Sequence, residues 1–343
     1  MHWLIPFAAP AFQGSAGPPQ ASLTPAGGGP GATRPWEAPD AGRQALGQLA
    51  LPHLATLLAA APPPGPADRD EADELSFSPP HERVLARAVG LSGDDGRLPW
   101  AAWQAARDGV DLDAAAAPTA WGLLTPAHWH LGTDQLTMRD PDELGLDAPA
   151  SRALLDAVRD LFDSEGFTLV WGAPLRWYLG HPSLARLRTA SPDRVIGRNV
   201  DPWLTPGPEG RLLRRLQNEV QMRLHGHPIN AAREAAGALP VNSFWLSGCG
   251  IAQPSGWPPG LQVDDRLRRA ALAGDWAAWA AAWQALDAGP LGELCHAMRA
   301  EDAALTLCGE RAAVTLHPGR APLWRRVSAR LRPASPAALL ETL

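Results

Sequence analysis

Proline and glycine together take 69 of the 343 positions, about one in five against a usual share near 12%. Their clustering decides where regular structure can form. Residues 13–42 and 62–75 are so rich in Gly, Pro and Ala or so polar that they read as disordered loops. The chain as a whole is 45% apolar, enough for a real core, and its length predicts two domains.

Periodicity then places the elements. Residues 2–8 read as a short buried strand ending at prolines, and LALPHLATLLAAA (49–61) as a helix stopped by Pro62. Ser78-Pro79-Pro80 opens a helix that Gly90 closes, and 99–108 form another. Strand character runs from Trp121 to Thr137. Leu154, Leu155, Val158, Leu161 and Phe162 share one helical face that ends at Gly166. Strands at 167–171 and 176–179 follow. A long helix carries Leu212, Leu213, Leu216, Val220 and Leu224 on one side and stops at Gly226 and Pro228. VNSFWLSG (241–248) is a strand. The last third reads as mostly helical, with one strand-like stretch, ALTLCGERAAVTL (304–316). Helices and strands alternate, so the expected class is α/β.

Composition excludes several functions. All thirty basic residues are arginine, against 36 acidic ones, for a net charge of −6. A chain without lysine has no P-loop lysine and no Schiff-base lysine, and an acidic balance is wrong for coating a polyanion. Cys249, Cys295 and Cys308 fit neither a disulfide framework nor a zinc ribbon. The N-terminus lacks the basic region of a signal peptide and no apolar run reaches 18 residues, so a cytoplasmic protein without membrane contact is expected.

One ordered set of motifs goes further. Arg176 lies in a strand, SPDRVIGR (191–198) and DPWLTPGPEG (201–210) follow, then a long helix, HPINAAR (227–233) and NSFWLSGCG (242–250). This order resembles the inserted cap of the archaeal-type, cofactor-independent phosphoglycerate mutases of the alkaline phosphatase superfamily. The resemblance puts Arg176 on the cap arginine, Asp193 on the turn aspartate and Arg198 on the turn lysine. His227, Pro228, Asn230 and Arg233 match the next motif; Asn242, Trp245, Gly248 and Gly250 match the last. LPHLATLL (51–58) is similar to a helix near the family's start. It implies an alkaline-phosphatase-like core sheet from 1–118 and 241–343 with a cap at 119–240. Arginines there suit a phosphate or carboxylate, because guanidinium offers planar paired donors.

The same resemblance implies two divalent metals, which polarise the phosphoryl group and activate the attacking oxygen. The ligands are missing from this chain. Where the family's first strand ends in Asp-Gly, this one reaches Pro6, and CGERAA (308–313) puts Glu310 and Arg311 at the late Asp-His pair. Arginine has no usable lone pair for a metal. In place of the ligand-bearing strand stand Trp276, Trp279 and Trp283, a core stripe by spacing. His128 and His130 form an H-x-H pair without a placed carboxylate. Asp94-Asp95-Gly96 and Asp264-Asp265 read as turn residues, and Ser78 as a helix cap.

SPPHERVLARAVGL (78–91), DGRLPWAAW (95–103) and LTLCGER (305–311) are together similar to a bacterial regulatory group, the regulation-of-pathogenicity-factors E type. The expected function is therefore a phosphoglycerate-mutase-like protein without catalysis or cofactor, with a regulatory or ligand- or partner-binding role. Its partner would be a phosphorylated small molecule or a protein, bound through Arg176, Asp193, Arg198, His227, Asn230, Arg233, Asn242 and Arg311. The alternative is an active metal-dependent mutase or phosphatase with a rearranged site. Nucleic acid is not expected: only Arg266, Arg268, Arg269 and LWRRVSARLR (323–332) point that way, and the latter reads as a docked terminal helix with a solvated basic face.

Overall fold

The computed structural model describes residues 1–10, 41–112, 119–132, 135–205, 207–297, 303–319 and 335–343. The chain forms two compact units, Met1–Glu74 with Pro259–Leu343, and Leu75–Pro258. The first unit begins with β1 (His2–Ile5), α1 (Ala41–Gly47), α2 (Pro52–Ala60) and β2 (Arg69–Glu71). The second runs through α3 (Pro80–Val89), α4 (Trp100–Arg107), β3 (Ala120–Ala127), β4 (Trp129–Leu131) and β5 (Leu136–Met138). It continues with α5 (Ala148–Asp163), β6 (Thr168–Ala173), β7 (Arg176–Gly180), α6 (Pro192–Val195), α7 (Gly207–Leu224), α8 (Pro228–Ala235) and β8 (Ser243–Ile251). The first unit resumes with β9 (Leu261–Val263), α9 (Arg268–Ala273), α10 (Trp276–Leu286), α11 (Gly292–Ala297), β10 (Ala304–Cys308), β11 (Ala312–Leu316) and a final helix, Pro336–Leu340. This is the α/β class that the alternation predicted.

In the first unit the strand order is β2-β11-β10-β1-β9. β1 lies parallel to both β9 and β10, while β11 is antiparallel to β10 and to β2. Trp3, Ile5, Leu305, Leu307, Val314 and Leu316 join Leu54 and Leu57 of α2 and Trp279 and Trp283 of α10 in one core. Of the expected tryptophan stripe, Trp279 and Trp283 are fully buried and Trp276 packs half-buried against the core; the indole N–H of Trp279 donates to the Phe7 carbonyl at 3.0 Å and that of Trp283 to the Ala8 carbonyl at 3.1 Å.

The second unit holds an antiparallel sheet, β6-β7-β3-β8. The apolar face of α5 (Leu154, Leu155, Val158, Phe162) and that of α7 (Leu213, Leu216, Val220, Leu224) bury against one side of it. Asp147 starts α5 by accepting the Ala150 N–H at 2.8 Å, as an N-cap should. Ala101, Ala102 and Ala105 of α4 pack with Trp121 and Tyr178 on the opposite side. Gly248 and Gly250 make that approach possible. A Cβ at either would lie 2.9 Å from the Ala101 nitrogen or 2.7 Å from Pro99 Cβ.

Two expectations change. The division falls at 74/75 and 258/259 rather than at 118/119 and 240/241, because α4 covers the β3–β8 sheet and β8 pairs with β3 along its whole length. Residues 62–75 are not a structureless loop: 69–71 add an edge strand to β11. The loop expected at 13–42 lies outside the described residues except Ala41 and Gly42, which begin α1, and 323–332 lies wholly outside them. Among the described residues no helix is long and apolar enough to cross a membrane.

Candidate functional site

Seven of the eight residues singled out from the sequence belong to the second unit, and most of them are tied to backbone. Asn230, only 4% exposed, donates to the carbonyls of Leu224 (3.1 Å) and Val241 (2.8 Å) and accepts the Val241 N–H at 3.0 Å. It thereby fastens the end of α7 to the strand entering β8. Arg233 donates Nε to the Leu239 carbonyl at 2.9 Å and Nη2 to that of Leu144. Asn242 accepts the Trp129 N–H at 2.7 Å and donates to the Trp129 carbonyl at 2.9 Å, pairing like one more strand residue. His227 caps α8, its Nδ1 accepting the Ile229 N–H at 3.4 Å.

Arg176 is different, because its partner is a side chain. Nε and Nη2 grip Asp108 at 2.7 and 3.0 Å, and the Tyr178 hydroxyl donates to the same carboxylate at 2.5 Å. Burial pushes the Asp108 carboxyl up, but these donors outweigh it and hold the group below the ordinary aspartate range. Burial, then the Asp108 charge, raises the Tyr178 hydroxyl well above its usual pKa.

Asp193 enters a separate network. It accepts from His81 Nε2 at 3.1 Å, both side chains being mostly buried. Beside them the Ser191 hydroxyl donates to Glu82 at 2.6 Å and accepts the Asp193 N–H at 3.2 Å. Burial raises the Glu82 pKa, opposed by the charge of His81 and the Ser191 hydrogen bond. Arg194, 1% exposed, reaches Ser76 at 2.8 Å. Asp95 accepts the N–H groups of Phe77 and Ser78 at 3.0 and 2.8 Å and pairs with Arg188. Ser78 is occupied too, its hydroxyl accepting the Gly96 N–H at 2.9 Å. Arg198 closes the α6 turn through its N–H to the Val195 carbonyl at 3.0 Å. Sequence reasoning missed Asp108, His81, Glu82 and Arg194. Two Ser-Pro helix starts, Ser78-Pro79-Pro80-His81-Glu82 and Ser191-Pro192-Asp193-Arg194, were the available signal for three of them; nothing local marks Asp108.

Arg311 lies in the other unit, exposed in the turn between β10 and β11. Its N–H is held by the Leu343 carbonyl at 2.9 Å, and its own carbonyl accepts from Ala72 at 3.0 Å. The positions that the resemblance gives to metal ligands do not fit a two-metal site, since they hold Pro6, Glu310 and a guanidinium that cannot ligate. Among the described residues no three His, Cys, Asp or Glu side chains converge to hold a metal ion. His128 donates from Nδ1 to the Pro240 carbonyl at 2.8 Å, and His130 is exposed at the β4–β5 hairpin. Cys249 is buried, and burial pushes its thiol up to about 12. Arg266 is taken up by Asp264 at 2.7 Å.

Fold and side-chain placement together define a mixed α/β protein of two units, one of them built on an antiparallel sheet between helices. Over 153 residues, 43% of the chain, it is 28% identical to a probable 2,3-bisphosphoglycerate-independent phosphoglycerate mutase of Geobacter sulfurreducens. That stretch is phosphoglycerate-mutase-like, and it spans 37% of the relative's length. No family profile matches the chain. Among solved structures, the cofactor-independent phosphoglycerate mutase of Thermoplasma acidophilum is 14% identical with a TM-score of 0.34, covering 100% of this chain and 98% of that one. The PH0037 protein of Pyrococcus horikoshii is 12% identical with a TM-score of 0.39, covering 92% and 86%.

Proposed function

We propose that this chain is a phosphoglycerate-mutase-like binding protein with a regulatory role, built on an alkaline-phosphatase-like plan and without phosphoryl-transfer activity. One observation carries the reading. The polar side chains that the resemblance would turn towards a substrate are committed to the protein's own backbone, Asn230, Arg233 and Asn242 foremost. Asn230 spends both amide hydrogens on carbonyls, and Arg233 and Asn242 are oriented by their backbone partners, so these side chains shape the unit. Glu310 and Arg311 at the late metal position support the same conclusion, because a guanidinium supplies charge without Lewis acidity. The ligand that suits the remaining chemistry is a small anionic metabolite. The test is an assay of the full chain with 3-phosphoglycerate and a generic phosphate ester in Mn²⁺, Mg²⁺ or Zn²⁺. No turnover above the metal-only background is expected. Chelator-sensitive turnover at enzyme-like rates would replace this reading with that of an active mutase or phosphatase.

A further inference from the structure

The second unit holds a cleft outside the hydrogen-bond networks described above. Its volume is about 270 Å³, and it lies where the turn from α5 into β6, the segment leaving β7 and the first turns of α7 meet. Gly166, with φ 79°, reverses the chain after α5, so that Phe167 joins the core. Phe167, Leu184, Leu187 and Leu212 give the cleft apolar walls. The His181 ring stands 4.7 Å from that of Phe167, and Ser183 fixes it by donating its N–H and hydroxyl to Nδ1 at 3.1 and 2.7 Å. Protein interiors are packed almost without voids, and a cavity of about 150 Å³ lined by Leu, Ile and Phe already takes benzene. This cleft therefore has room for one ring with a short side chain.

Charge selects among the ligands of that size. Two carboxylates, Glu165 and Glu209, line the cleft, and among the described residues no arginine does. Glu165 is paired with Arg215 at 2.5 Å. Glu209, exposed in the first turn of α7, makes no ion pair among the described residues. The helix dipole favours an acid in that turn, but it does not require one at the mouth of an apolar cleft. We propose that the cleft binds a small amine, a protonated primary amine carried on one aromatic ring or short apolar chain. The apolar body lies against Phe167 and Leu212, and the ammonium faces Glu209. A cation also gains from the negative face of an aromatic ring, whereas a carboxylate or phosphate would meet Glu209 as a like charge. The inference goes beyond the reading of the chain as a binder of a small anion and does not depend on it.

Calorimetric titration of the full chain with benzylamine, benzyl alcohol and benzoate tests this, since the three share a ring and differ in charge. Benzylamine is expected to bind saturably and about fivefold more tightly than benzyl alcohol, the upper range for an exposed ion pair. Benzoate should not bind. Glu209→Gln should bring benzylamine down to the level of the alcohol and leave the alcohol unchanged. Leu212→Trp, which fills the cleft, should abolish binding of both; if it does not fold, Leu212→Phe serves for the same titrations. Benzylamine that does not saturate, that binds no better than the alcohol, or that binds a folded Leu212→Trp chain unchanged overturns the proposal. So does a parent chain that sediments as a dimer while Leu212→Trp sediments as a monomer, because a second copy would then cover the cleft. Failure here leaves the non-catalytic reading standing, and turnover in the enzyme assay leaves the amine site standing.

Discussion

The two units solve the problem of burying polar backbone in different ways. In the first, the sheet and its helices close over a core of Leu, Ile, Val and Trp, and buried polar side chains are few: Thr306 bonds the hydroxyl of Thr315, and Asp287 accepts the N–H groups of His53 and Leu54 at the start of α2. In the second, long irregular connections run between α3 and β8, and polar side chains are spent on pinning them. Asn230, Arg233, Asn242, Asp95 and Ser191 each bond backbone N–H or carbonyl groups that no strand or helix satisfies. A buried backbone group without a partner costs about as much as a lost hydrogen bond, so loops that pass through an interior need such clips. The lesson concerns motifs: a set of polar residues in a recognisable order can survive because it holds loops, whether or not it touches a ligand.

That contrast can be broken by experiment. The largest effect should come from Trp279→Ala, which empties the centre of the first unit's core. A loss of about 3–5 kcal/mol is expected for a buried tryptophan, read from denaturant unfolding with unchanged slope. Asn230→Ala should cost roughly 2–3 kcal/mol, because it leaves the Val241 N–H and carbonyl without their side-chain partner in the interior. If the two losses came in the reverse order, the second unit would depend on its clips more than the first depends on its core. The smallest effect belongs to Glu82→Gln and appears as a change with pH. Burial raises the Glu82 pKa in the folded state, so the folded chain binds this proton more tightly than the unfolded one. Its stabilising contribution is complete below the ordinary glutamate pKa and is lost as pH rises through the raised value. Glutamine can still accept from Ser191 but cannot ionise. Relative to Glu82→Gln, the parent should therefore lose melting temperature as pH increases through that window, and parallel curves would show that Glu82 does not titrate there.

Much of the fold was legible in the sequence, for identifiable reasons. The apolar faces of α5 and α7 announced themselves because a helix that buries one side must repeat its apolar residues at three and four, and both bury the faces that the spacing predicted. The same spacing predicts the burial of Trp279 and Trp283 in α10. Prolines and glycines set the ends of α2, α3 and α5. The strand character of 304–316 is legible in the sequence, but that Gly309-Glu310-Arg311 is the turn of a hairpin is not, because the apolar pattern runs on both sides of it.

Sequence alone therefore determined the elements, their faces and the absence of lysine chemistry, because periodicity and residue type are local properties of the chain. Only the tertiary structure decided what the polar residues do. Arg176 meets Asp108 across 68 positions, His81 meets Asp193 across 112, and Trp129 meets Asn242 across 113. The unit boundaries were decided in the same way, since α4 joins the β3–β8 sheet by packing against its face. Hydrogen-bond partners are chosen by a few ångströms of three-dimensional placement, and nothing in the spacing of residues along a chain records which carbonyl or carboxylate will lie within that reach.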